Sequence, residues 1–217
     1  EIASLAKYYF NNDSDFTVKG FTVDDSVYQK DKFEGLPIIP YSEVLTKFAP
    51  DNYSMHIALS YQKLNQLRQD KYNQAKSSGF SLASYVSTKA TVWSDLEHGD
   101  NCFILEDQTI QPRVKIGNNV MLWSGNHLGH GSVIGDHTYI ASQVVISGNC
   151  VIGKRCFLGV NSTLKDFIEV GDDVFIGMDS SVTKNMKSGS VSISGSTQFF
   201  EKDDRRSIAI KKSYFKL

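Results

Sequence analysis

An aliphatic residue recurs at every sixth position through the second half of the chain. The run has no insertion or deletion, and its members are Ile104, Ile110, Ile116, Leu122, Leu128, Ile134, Ile140, Ile146, Ile152, Leu158, Leu164, Val170, Ile176 and Val182. Six residues is not a helical period, but it fits a short strand followed by a corner. Three such units make one triangular coil, in which equivalent residues of successive coils stack about 4.8 Å apart. The repeat therefore predicts a parallel β-solenoid.

Two further columns of the repeat are biased. Glycine often stands one position after the aliphatic residue, at 117, 129, 135, 153, 159, 171 and 177. We interpret this column as corners that need unusual backbone angles. A small or β-branched residue stands four positions after the aliphatic one, and this column includes Cys102, Cys150 and Cys156. All three cysteines are thus predicted to be small buried fillers, rather than disulfide partners or zinc ligands.

Residues 1–80 do not repeat, and helical and strand patterns alternate there. "EIASLAKYYF" predicts a helix, "FTVKGFTVDDS" a strand running into a turn, and "LPIIPYSEVLTKFAP" a strand and then a helix capped by Ser42. "YSMHIALS" predicts a buried strand, and residues 62–78 a polar helix that ends at Gly79. This alternation predicts a small parallel α/β domain.

The predicted organisation is an α/β domain over 1–80, the β-solenoid over 81–192 and a C-terminal tail over 193–217. "RRSIAIKKSYFKL" in the tail is typical of a last strand or helix. No cap or turn precedes the first helix, so we expect the supplied sequence to begin inside that helix and to lack the segment before it.

The charge and hydropathy of the chain indicate which classes of binding partner are unfavourable. The formal net charge is −1 and the sequence pI is about 6.6, so no global basic field favours nucleic acid or anionic lipid. No apolar run approaches the ~18 residues of a membrane span, and no signal peptide opens the chain. The sequence predicts a cytoplasmic protein without nucleic-acid or membrane partners.

The stretch "LWSGNHLGHGSVIGDH" holds three histidines, His127, His130 and His137. None falls in an inward column, so all three are predicted to lie outside the coil or at its corners, pointing in different directions. Zinc needs three or four converging ligands. We therefore predict no metal site within one chain, while a site shared between subunits stays an alternative.

At this point the sequence resembles a known family. "IGNNVMLWSG", "VIGDHTYIAS", "VIGKRCFLGVNS" and "VGDDVFIGMDSSVTKN" resemble the hexapeptide-repeat acyltransferases, which form a left-handed β-helix, and the likeness covers residues 86–190. With a small α/β domain in front, the chain is similar to the sialic-acid O-acetyltransferase-like subgroup, which includes bacterial nucleotide-sugar N-acetyltransferases. This resemblance implies acetyl transfer from acetyl-CoA to an amino group of a nucleotide-linked amino sugar, in bacterial surface-glycan (lipopolysaccharide) biosynthesis, by a homotrimer.

The resemblance also implies a catalytic residue. "LGHGSVIG" places His130 where the family has its histidine general base, a role that suits imidazole at neutral pH. Members often carry a carboxylate directly after this histidine, and this chain has Gly131 instead. Which group orients the imidazole stays open at this stage, the candidates being Glu106, Asp107 and Asp136. Tyr139 stands where some members have a second histidine.

For the acyl donor, the resemblance places the Gly148 backbone N–H, one coil beyond His130, near the thioester carbonyl, where it could stabilise an oxyanion. It places Val160 and Gly177 along the pantetheine arm, between two subunits. Four basic residues near the end of the coil are candidates to bind the phosphates of CoA: Lys184, Lys187, Arg205 and Arg206. The alternative is that all four are ordinary surface residues.

For the acceptor, the resemblance places Asp24 and Asp25 near the nucleotide, although a solvated turn explains them equally well. Asn126 and His127 are candidates for lining the acceptor pocket or are surface polar residues. Three alternatives to the N-acetyltransferase remain: O-acetylation of a sugar hydroxyl, a gamma-carbonic-anhydrase-like metalloenzyme, and a non-catalytic scaffold.

Overall fold

The structure is a computed structural model, and it describes residues 1–195, 204–206 and 208–209. Its helices are α1 (Ile2–Asn12), α2 (Val44–Lys47) and α3 (Gln66–Ser77), with 3₁₀ turns at Asp25–Val27 and Tyr41–Glu43. The first region also holds strands β1 (Phe21–Val23), β2 (Lys32–Phe33) and β3 (Leu36–Pro40). Of the predicted tail element, residues 205–206 and 208–209 are helical, and the remainder lies outside the described residues. No helix in the described parts is long and apolar enough to cross a bilayer.

From Tyr85 onward the chain winds as a triangular parallel coil, as the six-residue repeat predicts. Each turn adds one two-residue strand to each of three flat sheets, called here the first, second and third faces. The first face comprises Tyr85–Val86, Phe103–Ile104, Met121–Leu122, Tyr139–Ile140, Phe157–Leu158, Phe175–Ile176 and Val191–Ser192. The second comprises Thr91–Val92, Thr109–Ile110, His127–Leu128, Val145–Ile146, Thr163–Leu164 and Ser181–Val182. The third comprises Glu97–His98, Lys115–Ile116, Val133–Ile134, Val151–Ile152 and Glu169–Val170.

The aliphatic column forms the axis of this coil. Ile104, Leu122 and Ile140 are fully buried, and each pairs with its equivalent one coil away in parallel register. The column four positions later is also buried. Its hydroxyls join successive coils, since Thr138 Oγ1 donates to the Gly153 carbonyl at 2.9 Å and accepts from the Cys156 N–H at 3.1 Å. The three cysteines are free and buried, which confirms their prediction as fillers.

The corners differ from the prediction in one respect. From Asn101 to Asp179, every sixth residue has a positive φ of 54° to 81°, and this residue stands three positions after the aliphatic one. The predicted glycine column does not adopt this conformation. A Cβ at Gly135 would instead lie 2.6 Å from the backbone of Gly153 in the next coil. Those glycines are therefore needed for the close approach of stacked corners. The prediction that they adopt unusual backbone angles was wrong.

The first region is an α/β unit, as predicted, with a mixed sheet in the order β1-β3-β2. β1 and β3 are parallel, whereas β2 runs antiparallel to β3. "YSMHIALS" is not a regular strand. It makes one isolated bridge, Met55 to Leu82. The Ile57 N–H donates to the Asn101 side chain rather than to the backbone of a neighbouring strand.

Two helix-end predictions had different outcomes. α3 begins at Gln66 and gives way to Gly79 at φ +88°, as predicted for its end. Ser42 does not cap a helix with its side chain. The Asp25 carboxylate reaches this helical turn from another segment and accepts the Ser42 N–H at 3.0 Å. An exposed backbone N–H thus receives its hydrogen bond from a residue that is distant in the sequence. Local sequence patterns could not indicate this contact.

The first region and the coil share a core. Ala6 and Phe10 of α1 pack on the outer side of the first face, against Tyr85, Phe103 and Met121. At the end of α1, Asp13 accepts hydrogen bonds from the Tyr85 hydroxyl at 2.6 Å and from the Thr88 N–H at 3.1 Å. This packing buries the early strands of the first face, whereas the corner between the second and third faces is exposed at His130.

Candidate active site

His130 lies on that exposed corner. It follows the buried Leu128 by two positions, so the chain has already turned outward when it reaches the imidazole. The His130 backbone N–H donates to Gln111 Oε1 at 2.8 Å, and Nδ1 of the ring lies 3.1 Å from the same oxygen. Nε2 lies 3.5 Å from Asn149 Nδ2. The imidazole is therefore held on one side and accessible on the other.

Gly148 supplies the surface under the ring. A Cβ at this position would lie 2.7 Å from His130 Cε1 and 2.9 Å from Nε2. The Gly148 N–H, however, donates to Asp166 Oδ1 at 3.0 Å. The amide expected to receive an oxyanion is thus already occupied by a carboxylate one coil further on.

None of the three carboxylates considered as partners of His130 lies at its corner. Glu106 and Asp107 lie where the first face meets the second, and Asp136 lies where the third meets the first. Glu106 accepts from the Ser124 hydroxyl at 2.7 Å, and Asp136 pairs with Lys154 at 3.3 Å.

The contact that sequence reasoning missed is Gln111. It lies in the preceding coil, nineteen residues before the histidine. The length of one coil, counted back from His130, could have located this neighbourhood. Gln111 carries an amide rather than a carboxylate, so a pattern of acidic residues does not reveal it.

His137 lies at a corner of the coil, as the register predicts, but it is not exposed. It occupies the positive-φ corner between the third and first faces and is buried under α3. Its Nδ1 accepts from Asn119 Nδ2 at 2.8 Å, and its carbonyl accepts from the Arg68 guanidinium at 2.7 Å. Burial lowers the pKa of His137 to about 4. Such a histidine stays neutral and structural at neutral pH.

Asn126 is also structural. It is buried, its amide donates to the Trp123 carbonyl, and its Oδ1 accepts from the Val144 N–H at 2.7 Å. Because both ends of the amide are used inside the coil, Asn126 is not available to an acceptor, contrary to expectation. His127 lies half-buried on the second face, between Thr109 and Val145, and remains a candidate.

Tyr139 lies on a different face from His130. It is buried on the first face and stacks on Phe157, with ring centroids 5.3 Å apart and planes inclined by 12°. The position that holds a second histidine in some resembling proteins is therefore part of an aromatic ladder here.

The residues expected along the acyl donor divide between two edges of the coil. Val160 is 45% exposed and lies, with Gly177, where the first and second faces meet. His130 and Gly148 lie at the edge between the second and third faces, and Lys184 falls in the same column two coils beyond Gly148. One chain does not bring Val160 and His130 together.

The remaining expected donor residues contribute less. Lys187 lies beside the bridge between Val170 and Met186, which is at the last coil of the third face. Arg206 bonds to the Asp204 carboxylate at 2.8 Å. Arg205 lies in the described helical residues of the tail.

A separate cavity of about 760 Å³ lies in the α/β region, between α1, β1 and the segment 52–59. Asp24 lines it and forms an ion pair with Lys71. Asp25 faces away, toward Ser42, whose hydrogen bonds lower the pKa of this carboxyl. Thr22 Oγ1 and His56 Nε2 are buried beside the cavity without hydrogen-bond partners among the described residues. The cavity is thus mainly apolar with a few polar groups available, as small-molecule sites usually are.

A metal site finds no support in the geometry. Across residues 1–195 and the described tail, no three His, Cys, Asp or Glu side chains converge as ligands. His137 is buried, and His127 and His130 lie on a face and at a corner respectively.

Comparison with known proteins identifies the repeat and the fold. Residues 113–148 match the family described as bacterial transferase hexapeptide (six repeats). No curated protein matches the chain significantly. The acetyltransferase domain of PglB from Neisseria gonorrhoeae FA1090, solved with acetyl coenzyme A, is 19% identical with a TM-score of 0.74, and 88% of each chain is covered.

Two more solved structures share this fold. PerB from Caulobacter crescentus, solved with CoA and GDP-perosamine, is 21% identical with a TM-score of 0.68, covering 74% of this chain and 77% of PerB. WeeI from Acinetobacter baumannii AYE is 19% identical with a TM-score of 0.66, covering 88% and 89%. At these identities the likeness establishes the architecture, a small α/β region followed by a left-handed parallel β-helix. The predicted fold and hexapeptide repeat are confirmed.

Proposed function

We propose that this chain transfers an acetyl group from acetyl-CoA to the amino group of a nucleotide-linked amino sugar. The observation that carries the proposal is the corner at His130, where an exposed imidazole lies on a glycine surface, Nδ1 meets Gln111 Oε1 at 3.1 Å and Nε2 has only a long contact of 3.5 Å with Asn149 Nδ2. A general base must be accessible to the proton that it removes, and this geometry provides that access.

The chemistry moves one proton in two transfers, through His130, and exchanges a C–S bond for a C–N bond. The neutral amine attacks the thioester carbonyl carbon, and His130 Nε2 takes the amine proton as the C–N bond forms. The tetrahedral intermediate then expels the CoA sulfur, breaking the C–S bond, and the thiolate receives the proton that His130 held. The products are the N-acetyl sugar and free CoA, without an acyl-enzyme intermediate.

The oxyanion of that intermediate needs a donor. The Gly148 N–H is the expected group, and its bond to Asp166 means that the thioester oxygen must displace this carboxylate first. The proposal therefore includes a change at Asp166 when acetyl-CoA binds.

The donor arrangement also implies more than one subunit. Val160 and Gly177 lie on a different edge of the coil from His130, so only a neighbouring copy could place them along the same pantetheine arm. Exposed side chains on the faces, such as Val145 and Val151, would favour that association. We propose a homotrimer, with Lys184 available to a phosphate of CoA.

The acceptor proposal draws on the similar structures and on the cavity. PerB was solved with GDP-perosamine, and this chain has a cavity in its α/β region with Asp24 and Lys71 in its wall. Those groups suit the hydroxyls and phosphates of a nucleotide. Surface-glycan biosynthesis in the cytoplasm is the setting that this substrate class implies.

The test is a panel of UDP-, dTDP- and GDP-linked 4-amino sugars incubated with acetyl-CoA and analysed by mass spectrometry. We expect one acetyl gain on one member, with stoichiometric thiol release. A matched 4-hydroxy sugar distinguishes O-acetylation, since a gain there and none on the amine would replace the proposal. No gain across the panel, or activity that depends on stoichiometric zinc, would contradict it.

A further inference from the structure

We infer that Gln111 is the positioning residue of His130, fixing its tautomer through a neutral amide where a carboxylate might be expected. The inference rests on the proposed role of His130 as the base. It begins from one oxygen, Gln111 Oε1, which lies 2.8 Å from the His130 backbone nitrogen and 3.1 Å from ring Nδ1.

The backbone contact determines which end of the amide faces the histidine. A backbone N–H can only donate, so the Gln111 atom that it meets must be the carbonyl oxygen rather than the NH₂ group. That oxygen in turn can only accept, so Nδ1 must carry a hydrogen and donate to it. A neutral imidazole has one N–H, and Nε2 is therefore left with a free lone pair.

The other side of the ring agrees with this assignment. Asn149 Nδ2, a donor, lies 3.5 Å from Nε2. That distance is too long for a strong bond, so an incoming amine can take its place. The backbone of Asn149 is fixed beside the histidine, because its N–H donates to the His130 carbonyl at 2.8 Å.

The same geometry explains Gly131. Its φ is +68°, and a Cβ there would lie 2.5 Å from Asn149 Oδ1. A carboxylate at 131 would therefore require Asn149 to move and would place a side chain at a strained backbone position. Gln111, Gly131 and Asn149 thus form one arrangement, in which the support for the imidazole comes from the preceding coil.

The first test reads the tautomer without using activity. In ¹⁵N-histidine spectra, we expect His130 to show a protonated Nδ1 and a bare Nε2, its signals being assigned by their loss in His130→Asn. Gln111→Ala should give a mixture of tautomers, while Gln143→Ala, an exposed amide at another corner, should leave the signals unchanged. A protonated Nε2 in the wild-type protein overturns the inference, whatever the activity.

The second test uses kinetics with the sugar that the panel identifies. Gln111→Ala should lower kcat by roughly tenfold to a hundredfold, with KM for acetyl-CoA nearly unchanged. Gln111→Glu keeps the shape of the side chain and adds a charge that favours the imidazolium. At high pH, where the imidazole is neutral, kcat should recover from the low value of Gln111→Ala. The acidic limb of the kcat profile should move up by about one pH unit.

The two proposals fail differently. An inactive panel with the expected tautomer contradicts the acetyltransferase function but leaves the positioning by Gln111 intact. An active enzyme whose Gln111→Ala variant keeps both tautomer and kcat contradicts the positioning role. Equal losses at Gln111→Ala and Gln143→Ala would show only a general effect on the coil, and would also overturn the inference.

Discussion

The corner that carries His130 and the corner that carries His137 belong to the same coil, seven residues apart in the chain, yet their environments are opposite. His130 is exposed and touched by two side-chain amides. His137 is buried under α3, where Tyr72 packs edge-on against its ring at 5.2 Å and Arg68 binds its carbonyl. One corner is exposed to solvent, and the other is buried between the coil and a helix.

The difference comes from what covers each edge of the prism. α3 lies over the edge between the third and first faces, where Asn65 donates to the Cys156 carbonyl and Arg68 to Asn119 and His137. Nothing in the described part of this chain covers the edge between the second and third faces in that way. Equivalent positions of a repeat therefore acquire different chemistry from the non-repeating region that packs on them.

The largest expected effect separates the corners by activity. His130→Ala should lower kcat by roughly 10²- to 10⁴-fold, because the general base is lost, with the melting temperature nearly unchanged at this exposed site. His98→Ala, at an exposed histidine of the third face with no assigned role, is the matched control and should leave kcat nearly unchanged. Steady-state rates of thiol release measure both. Equal losses in the two variants would remove the special role of His130.

The next effect separates the corners by stability. Arg68→Ala removes the guanidinium over the His137 corner and leaves the Asn119 and His137 carbonyls unpaired in the interior. We expect the free energy of unfolding to fall by on the order of 3 kcal/mol. Arg113→Ala, an exposed arginine at the His130 edge, should change it by less than about 0.5 kcal/mol. Chemical denaturation checks both, and similar values would contradict the comparison.

A third effect follows from protonation of His137. Burial lowers its pKa from an ordinary 6.5 to about 4, so between these values the unfolded chain binds more protons than the folded one. Stability is therefore present above pH 6.5 and lost as the pH falls toward 4, by about 2 kcal/mol at pH 5. His56, whose pKa burial also lowers to about 4, should add a similar loss.

Denaturation curves at pH 7 and pH 5 measure this loss. His137→Asn should reduce the difference between the two pH values, because the titrating group is gone, even if stability at pH 7 also falls. An unchanged difference would show that His137 is not buried in its neutral form.

The smallest expected effect sharpens the description of the open corner. Gly131→Ala introduces a Cβ at φ +68° and 2.5 Å from Asn149 Oδ1. We expect a loss of roughly 1 kcal/mol in stability, since the amide can rotate away. Gly35→Ala has a similar φ of +79° with nothing within 4 Å, and it isolates the backbone cost. The difference between the two variants, measured by thermal unfolding, gives the contribution of Asn149.

Much of the fold could be predicted from the sequence, because the repeat constrains every sixth residue in the same way. Ile104 through Val182 had to face inward, and the cysteines had to be fillers. The positive-φ column was not predicted, although Asn, Asp and Gly are frequent there, because that conformation was assigned to the glycines one position after the aliphatic residues. In the α/β region, by contrast, the capping by Asp25 and the failure of "YSMHIALS" to form a strand depend on contacts between distant segments.

The candidate site divides in the same way. The register by itself determined that His130 points out of the coil, because that depends only on its distance from Leu128. It could not determine that His137 is buried, since the burial comes from α3, a helix whose docking no periodicity describes. Nor could it find Gln111, whose contact with His130 requires two coils to stack and an amide to turn toward a backbone N–H. Local spacing fixes which way a side chain points, whereas the tertiary structure decides what it meets there.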